Sequence, residues 1–213
     1  MGQNVKPKIF VAILNQGWIR PELASLIGIL RSDPRAQIDI AYCNLRPAED
    51  NRNNTVKIAL EKNYDFLISI DHDTVPLHNI IDLALLDLDV VGCAYPQWNM
   101  SDPKFPIYFL GMDKVGNAYA EHKQKDGLQE VDAVGSGAIV IARRVLEKVN
   151  EPFVRKWHNG FSITGLDFYF CEKAKAQGFK IYCHYNYLAD HFKELSLLDV
   201  LNFKLYGGQP AHR

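Results

Sequence analysis

The sequence predicts a mixed α/β fold in which a mainly parallel central sheet is flanked by helices. Short apolar runs recur at residues 9–14, 66–70 and 90–94, and stretches with apolar residues at helical spacing separate them. A chain of 213 residues, 47% of them hydrophobic, is also long enough to enclose one such core and too short for several.

Residues 9–14 (IFVAIL) read as a strand buried on both faces, ended by Asn15-Gln16-Gly17. Pro21 opens a helix to residue 31, because proline in a first turn sacrifices no hydrogen bond, and Leu23, Leu26, Ile27 and Leu30 form its apolar stripe. Residues 38–42 form a short strand, and 53–62 a helix carrying Val56, Ala59 and Leu60. FLISI at 66–70 is the next buried strand, 79–86 a helix and 90–94 a strand. This alternation argues for parallel pairing with helices on both faces.

Beyond residue 95 the pattern becomes mixed. Pro96, Pro103, Pro106, Gly111 and Gly116 punctuate strand-like pieces such as 107–110, as in an antiparallel excursion. Residues 131–142 (VDAVGSGAIVIA) read as a strand interrupted at Gly135-Ser136-Gly137, followed by a short helix from Arg144 and a loop over 157–160. A helix over about 165–177 stops at Gly178, a strand covers 180–185, and a helix over 194–205 precedes a tail or linker at 207–213. Residues 1–206 are expected to form one domain, and the tail would suit a connection to further domains of a longer chain.

Composition removes several partners. The 24 basic and 25 acidic residues leave a net charge of -1, which gives no field to attract a phosphate backbone or an anionic bilayer. Neither nucleic acid nor membrane is an expected partner. No run approaches the roughly 20 apolar residues of a membrane span, and the polar start is no signal peptide, so a soluble, cytoplasmic protein is expected. Cys43, Cys93, Cys171 and Cys183 make no C-x-x-C pair and are expected as buried, reduced thiols.

Ligands of open α/β sheets bind beyond the carboxyl ends of the strands, and Asp71-x-Asp73 emerges from FLISI at such an end. Two carboxylates placed there repel unless a cation or donor joins them, and hard oxygen ligands beside a diphosphate suit Mg2+ or Mn2+. A plain capped turn is the alternative. A second D-x-D, Asp87-Leu88-Asp89, follows a helix and precedes a strand, where a solvated turn explains it.

Around this motif Arg52-Asn53, Val56 and Ala59-Leu60 lead into FLISIDHD, and Val134-Gly135-Ser136-Gly137 leads into AIVIARRVLEKV. Gly165-Leu166-Asp167, Phe170-Cys171, Ala174, Gly178-Phe179-Lys180-Ile181 and His191 follow. In these segments, over roughly residues 8–193, the chain resembles the nucleotide-sugar-dependent glycosyltransferases of GT-A type, particularly glycosyltransferase family two, and within them a viral capsid-glycan transferase domain. The resemblance implies a GT-A (Rossmann-like) fold with a nucleotide-binding half at about 8–95 and a donor-sugar and acceptor half at about 96–206. It implies transfer from a UDP-sugar to a glycan or glycoprotein hydroxyl, with Mn2+ or Mg2+ as cofactor. Asp73 and His191 would hold the metal, with Asp71 nearer the ribose and metal-bound water. Asn15, Gln16, Arg52, Asp71, His72 and Lys193 would meet the nucleotide. Gly135, Ser136 and Gly137 would lie against the donor sugar, with Ser136 donating to a sugar hydroxyl, and Asp167 would be the catalytic residue, a base in an inverting course or an orienting group in a retaining one.

Trp98 and Trp157 offer flat apolar faces to an acceptor, or simply pack. Where the family often has Glu-Asp, this chain has Leu166-Asp167, which leaves retention or inversion open. Each site residue also has a plainer role: a helix-start charge for Asp167, a solvated side chain for Lys193, a glycine bulge at 135–137. Two rival functions stand beside the transferase. FLISIDHDTV fits the nucleophile motif of haloacid-dehalogenase-like phosphatases, with Asp71 as nucleophile, although two strand-helix units precede it here. A non-catalytic nucleotide-sugar binding module is the other.

Overall fold

The computed structural model describes residues 5–98, 107–115, 118–121, 125–194 and 200. The strands β1 (Lys8–Leu14), β2 (Gln37–Cys43) and β3 (Phe66–Asp71) pair in parallel in the order β2-β1-β3, with α1 (Pro21–Arg31) and α2 (Ala48–Glu61) as crossovers. After β4 (Thr74–Pro76), α3 (Ile81–Ala84), β5 (Val90–Ala94) and β6 (Pro96–Trp98), the chain enters β7 (Ile107–Val115) and β8 (Ala118–Glu121). Then come β9 (Leu128–Val131), β10 (Ala133–Val134), β11 (Ala138–Ala142), α4 (Arg143–Leu146), β12 (Lys156–His158), β13 (Phe161–Thr164), α5 (Leu166–Ala176) and β14 (Ile181–His191).

The main sheet has eight strands in the order β2-β1-β3-β11-β5-β14-β4, with β9 on β14. β11 lies antiparallel between β3 and β5, so β1, β2, β3, β5 and β14 share one direction while β4, β9 and β11 oppose it. This is the mixed, mainly parallel sheet the pattern predicted. A smaller sheet joins β10, β7 and β6, with β8 on β7, and β12 and β13 form a hairpin.

The period-2 alternation of side chains along a strand explains why the central runs are apolar throughout. In β1, Phe10, Ala12 and Leu14 enter the core beneath α2 and α5, while Ile9, Val11 and Ile13 enter the core beneath α1 and α3. Leu23, Leu26, Ile27 and Leu30 close the second core from α1, each contributing roughly 1.5–3 kcal/mol by burial.

Several elements differ from expectation. α2 begins at Ala48, five residues before the predicted start, because its first turns are polar and show no apolar stripe; Arg155 on Glu49, and Asn53 on the backbone of Phe153, tie them down. The helix predicted over 79–86 contracts to Ile81–Ala84, with its last turn continued by single backbone bonds to Asp87. The loop at 157–160 is a hairpin turned by Asn159 and Gly160, both at positive φ. β14 runs on to His191 through a register shift after His184, which carries the strand past its predicted end at 185. Residues 195–199 and 201–205 of the helix predicted over 194–205, and the tail, lie outside the described residues. Asp87 and Asp89 form the expected turn, held by Arg144. All four cysteines are buried and unbridged. Among the described residues no helix is long and apolar enough to cross a membrane.

Candidate active site

Chain order reverses between β1 and β3, and α1 and α2 cover opposite faces there, which opens a crevice at the carboxyl ends. A cavity of about 410 Å3 occupies it, walled by Leu14, Asn15 and Gln16, by Leu45 to Ala48 with Asn51 and Arg52, and by Asp71, His72 and Asp73. Of the residues expected to meet a nucleotide, only Lys193 is outside this wall.

Arg52 is 7% exposed and organises the floor. Its Nη2 donates to both carboxylate oxygens of Asp71 at 2.8 Å, and its Nη1 to Ser69 Oγ and to the Ser136 carbonyl at 3.2 Å. Asp71 N–H donates to the Gly137 carbonyl at 2.8 Å, so the aspartate pair and the glycine turn are one hydrogen-bonded unit. Asp71 is thus engaged by a guanidinium, while Asp73 faces other partners.

Asp73 Oδ2 accepts from Lys193 Nζ at 2.9 Å and lies 3.6 Å from His191 Nε2. Burial pushes its carboxyl up, but His191 and Lys193 outweigh burial and hold it below the ordinary range. His191 Nδ1 is 2.9 Å from the Pro96 carbonyl, which can only accept, so Nδ1 donates there and Nε2 is the ring nitrogen turned toward Asp73. A carboxylate beside the Nε2 edge of a histidine that is anchored from behind by a backbone carbonyl is the arrangement of a metal-ligating pair. The side chains therefore fit a divalent ion bound by one carboxylate and one imidazole, with phosphate oxygens to fill the remaining positions. No group of three or more His, Cys, Asp or Glu suited to a metal occurs among the described residues.

The glycine turn meets α5 from the other side. Asp167 is half-buried in the first turn of α5, and its Oδ1 accepts from Phe168 N–H at 2.9 Å. Desolvation dominates and raises its pKa, opposed by the Phe168 amide and by Arg52. Ser136 is buried, and a Cβ on Gly137 would fall 2.8 Å from Thr74 Oγ1 and 2.9 Å from Tyr95 Oη, so only glycine fits.

Other expectations meet different surroundings. Asn15 is spent on its own loop: Nδ2 donates to the Ile13 and Cys43 carbonyls at 3.3 Å, and Oδ1 accepts from Gly17 N–H. Gln16 is exposed at the cavity, and the His72 ring packs edge-on against Trp18 at 4.8 Å. Trp157 stands 63% exposed on the β12-β13 hairpin, away from the cavity wall, and the side chain of Trp98 lies outside what is described. Two residues escaped sequence reasoning. Asn51 lines the cavity with Nδ2 on the Cys43 carbonyl and Oδ1 buried without a protein partner. Tyr95 accepts from Gly137 N–H at 3.0 Å; its one sequence signal is its place immediately after the buried strand VVGCA.

The sheet order and flanking helices are those of the GT-A fold. Among solved structures, A197 from STIV superposes with a TM-score of 0.60 at 21% identity, over 88% of this chain and 86% of that one. GalNAc-T7, solved with UDP, GalNAc and Mn2+, superposes with a TM-score of 0.50 at 10% identity, over 92% of this chain and 45% of that one. The chain thus spans just under half the length of GalNAc-T7. No protein-family model matches the chain, and no curated protein matches it.

Proposed function

We propose that the protein is a metal-dependent glycosyltransferase that moves a sugar from a UDP-sugar to a hydroxyl of a glycan or glycoprotein. The observation that carries the proposal is the Asp73–His191 pair, set at the carboxyl ends of β3 and β14 beside the crevice cavity. The sequence resemblance and the likeness of fold to GalNAc-T7, which was solved with UDP, GalNAc and Mn2+, support it. Resemblance to a viral capsid-glycan transferase supports a capsid glycan as acceptor. The nucleotide lies in the half at 8–95 and the donor sugar and acceptor in the half at 96–206.

Asp73 and His191 would hold Mn2+ or Mg2+, which when bound neutralises charge on the departing diphosphate. Leu14 and Leu45 line the cavity with apolar surface for a base, and Arg52 fixes Asp71 toward the ribose. Lys193 reaches the same edge and supplies a positive charge for phosphate oxygens. The turn at 135–137 brings backbone against the sugar. The acceptor oxygen forms its bond to the anomeric carbon as the bond from that carbon to the diphosphate oxygen breaks, and the bonding pair leaves on that oxygen. Asp167, whose raised pKa makes its ionised form the stronger base, takes the acceptor's proton in an inverting displacement. With Leu166 beside it instead of a second acid, a retaining course would use Asp167 to orient the sugar.

Thermal unfolding with UDP, GDP and CDP, each with and without Mn2+, tests the proposal. A ligand at 100 times its Kd adds about 2.7 kcal/mol of stability. Stabilisation by UDP that requires Mn2+ is expected. No shift with any nucleotide refutes the transferase reading. An aspartyl-phosphate trapped on Asp71 would establish the phosphatase in its place, and UDP binding without sugar turnover would mark a binding module.

A further inference from the structure

Tyr95 joins the glycine turn to the His191 edge of the site. It follows β5 directly and is 3% exposed. Its Oη accepts from Gly137 N–H at 3.0 Å, and its ring meets the His191 ring edge to face, with centroids 5.1 Å apart. The next residue, Pro96, supplies the carbonyl that receives His191 Nδ1–H. Gly137 in turn packs against Thr74, the neighbour of Asp73.

We propose that Tyr95 is a positioning residue that sets the spacing between the glycine turn and His191, and through them between the donor sugar and the metal-binding edge. The proposal rests on the transferase reading for its kinetic consequence, but the Tyr95–Gly137 link can be measured without turnover. The hydroxyl and the ring have separable duties: the first holds the turn, the second backs the histidine.

Tyr95→Phe removes the first and keeps the second, with no cavity large enough to prevent folding. Three quantities are compared with wild type: hydrogen exchange at the Gly137 amide, UDP affinity in Mn2+ by calorimetry, and UDP-sugar turnover. One lost hydrogen bond corresponds to about tenfold. The expected result is Gly137 exchange about tenfold faster, UDP affinity within about twofold, and kcat about tenfold lower with an unchanged donor KM. Turnover within about twofold of wild type, or affinity and turnover falling in equal proportion, would overturn the positioning role. A wild-type protein that binds no nucleotide with Mn2+ would refute the transferase reading instead. In that case unchanged Gly137 exchange in Tyr95→Phe still refutes the link, and faster exchange still supports it.

Discussion

Replacing Arg52 by methionine keeps the aliphatic length of the side chain and deletes its charge and donors. In the native site the guanidinium satisfies the Asp71 carboxylate, Ser69 Oγ and the Ser136 carbonyl together, and its side chain is 8% exposed. Breaking a buried pair from one side costs about 3–5 kcal/mol, because the remaining charge is left without compensation. The Asp71 side chain is 27% exposed, so water relieves part of that penalty and the low end, about 3 kcal/mol, applies. For a chain of this size each kcal/mol moves Tm by about 2–4 °C, which places the midpoint roughly 6–12 °C below wild type. The assay is thermal unfolding at neutral pH by circular dichroism. Adding Asp71→Asn to Arg52→Met removes the stranded charge and should recover about half of the loss, an interaction a double-mutant cycle isolates. Arg52→Lys should fall between, since an ammonium cannot make the forked contact. A midpoint for Arg52→Met within about 2 °C of wild type would refute the reasoning, since it would mean the pair contributes nothing net.

Asp73→Asn should bind UDP with its Mn2+ dependence reduced at least about tenfold; an unaltered dependence in calorimetry would remove Asp73 from the metal site. Asp167→Asn should lower sugar transfer about 100-fold or more and leave UDP affinity in Mn2+ intact, and near-normal transfer would show that it moves no proton. Asp33 pairs with Arg35 and Asn79, and the hydrogen bond from Arg35, working against burial, holds its carboxyl below the ordinary carboxylate range. A folded pKa below the unfolded one gives stability that is complete above about pH 4 and is lost as pH falls toward the depressed value. Chemical denaturation from pH 7 to pH 2 should therefore show a shallower acid loss for Asp33→Asn, and parallel curves would contradict the assignment.

How far the sequence discloses the site depends on how local each signal is. The strands of β1, β3 and β5 are legible because each is apolar on both faces, and the site strands end where that run meets Asn15, Asp71 or Tyr95. Asp71, Asp73, Arg52 and the 135–137 turn are legible through spacing and resemblance. The start of α2 is not, because Glu49 and Asn53 are fixed by Arg155 and Phe153, about a hundred residues away in the chain. Asn15 reads in the sequence only as a base contact, and its second part as a loop brace is hidden there, since the Cys43 carbonyl that it reaches belongs to another strand. Asn51 and Tyr95 are invisible for the same reason: their importance lies in which backbone groups the fold brings to them.

The antiparallel strand in the middle of the sheet has a consequence for dissection of the protein. β11 comes from the second half of the chain and separates β3 from β5, both of which come from the first. A fragment ending at residue 95 would leave one flank of FLISI and both flanks of VVGCA without partners, two apolar ribbons open to pairing with other copies. The segment 8–95 is thus not a folding unit, and a protein split at that boundary should regain a soluble sheet only when both fragments are present together.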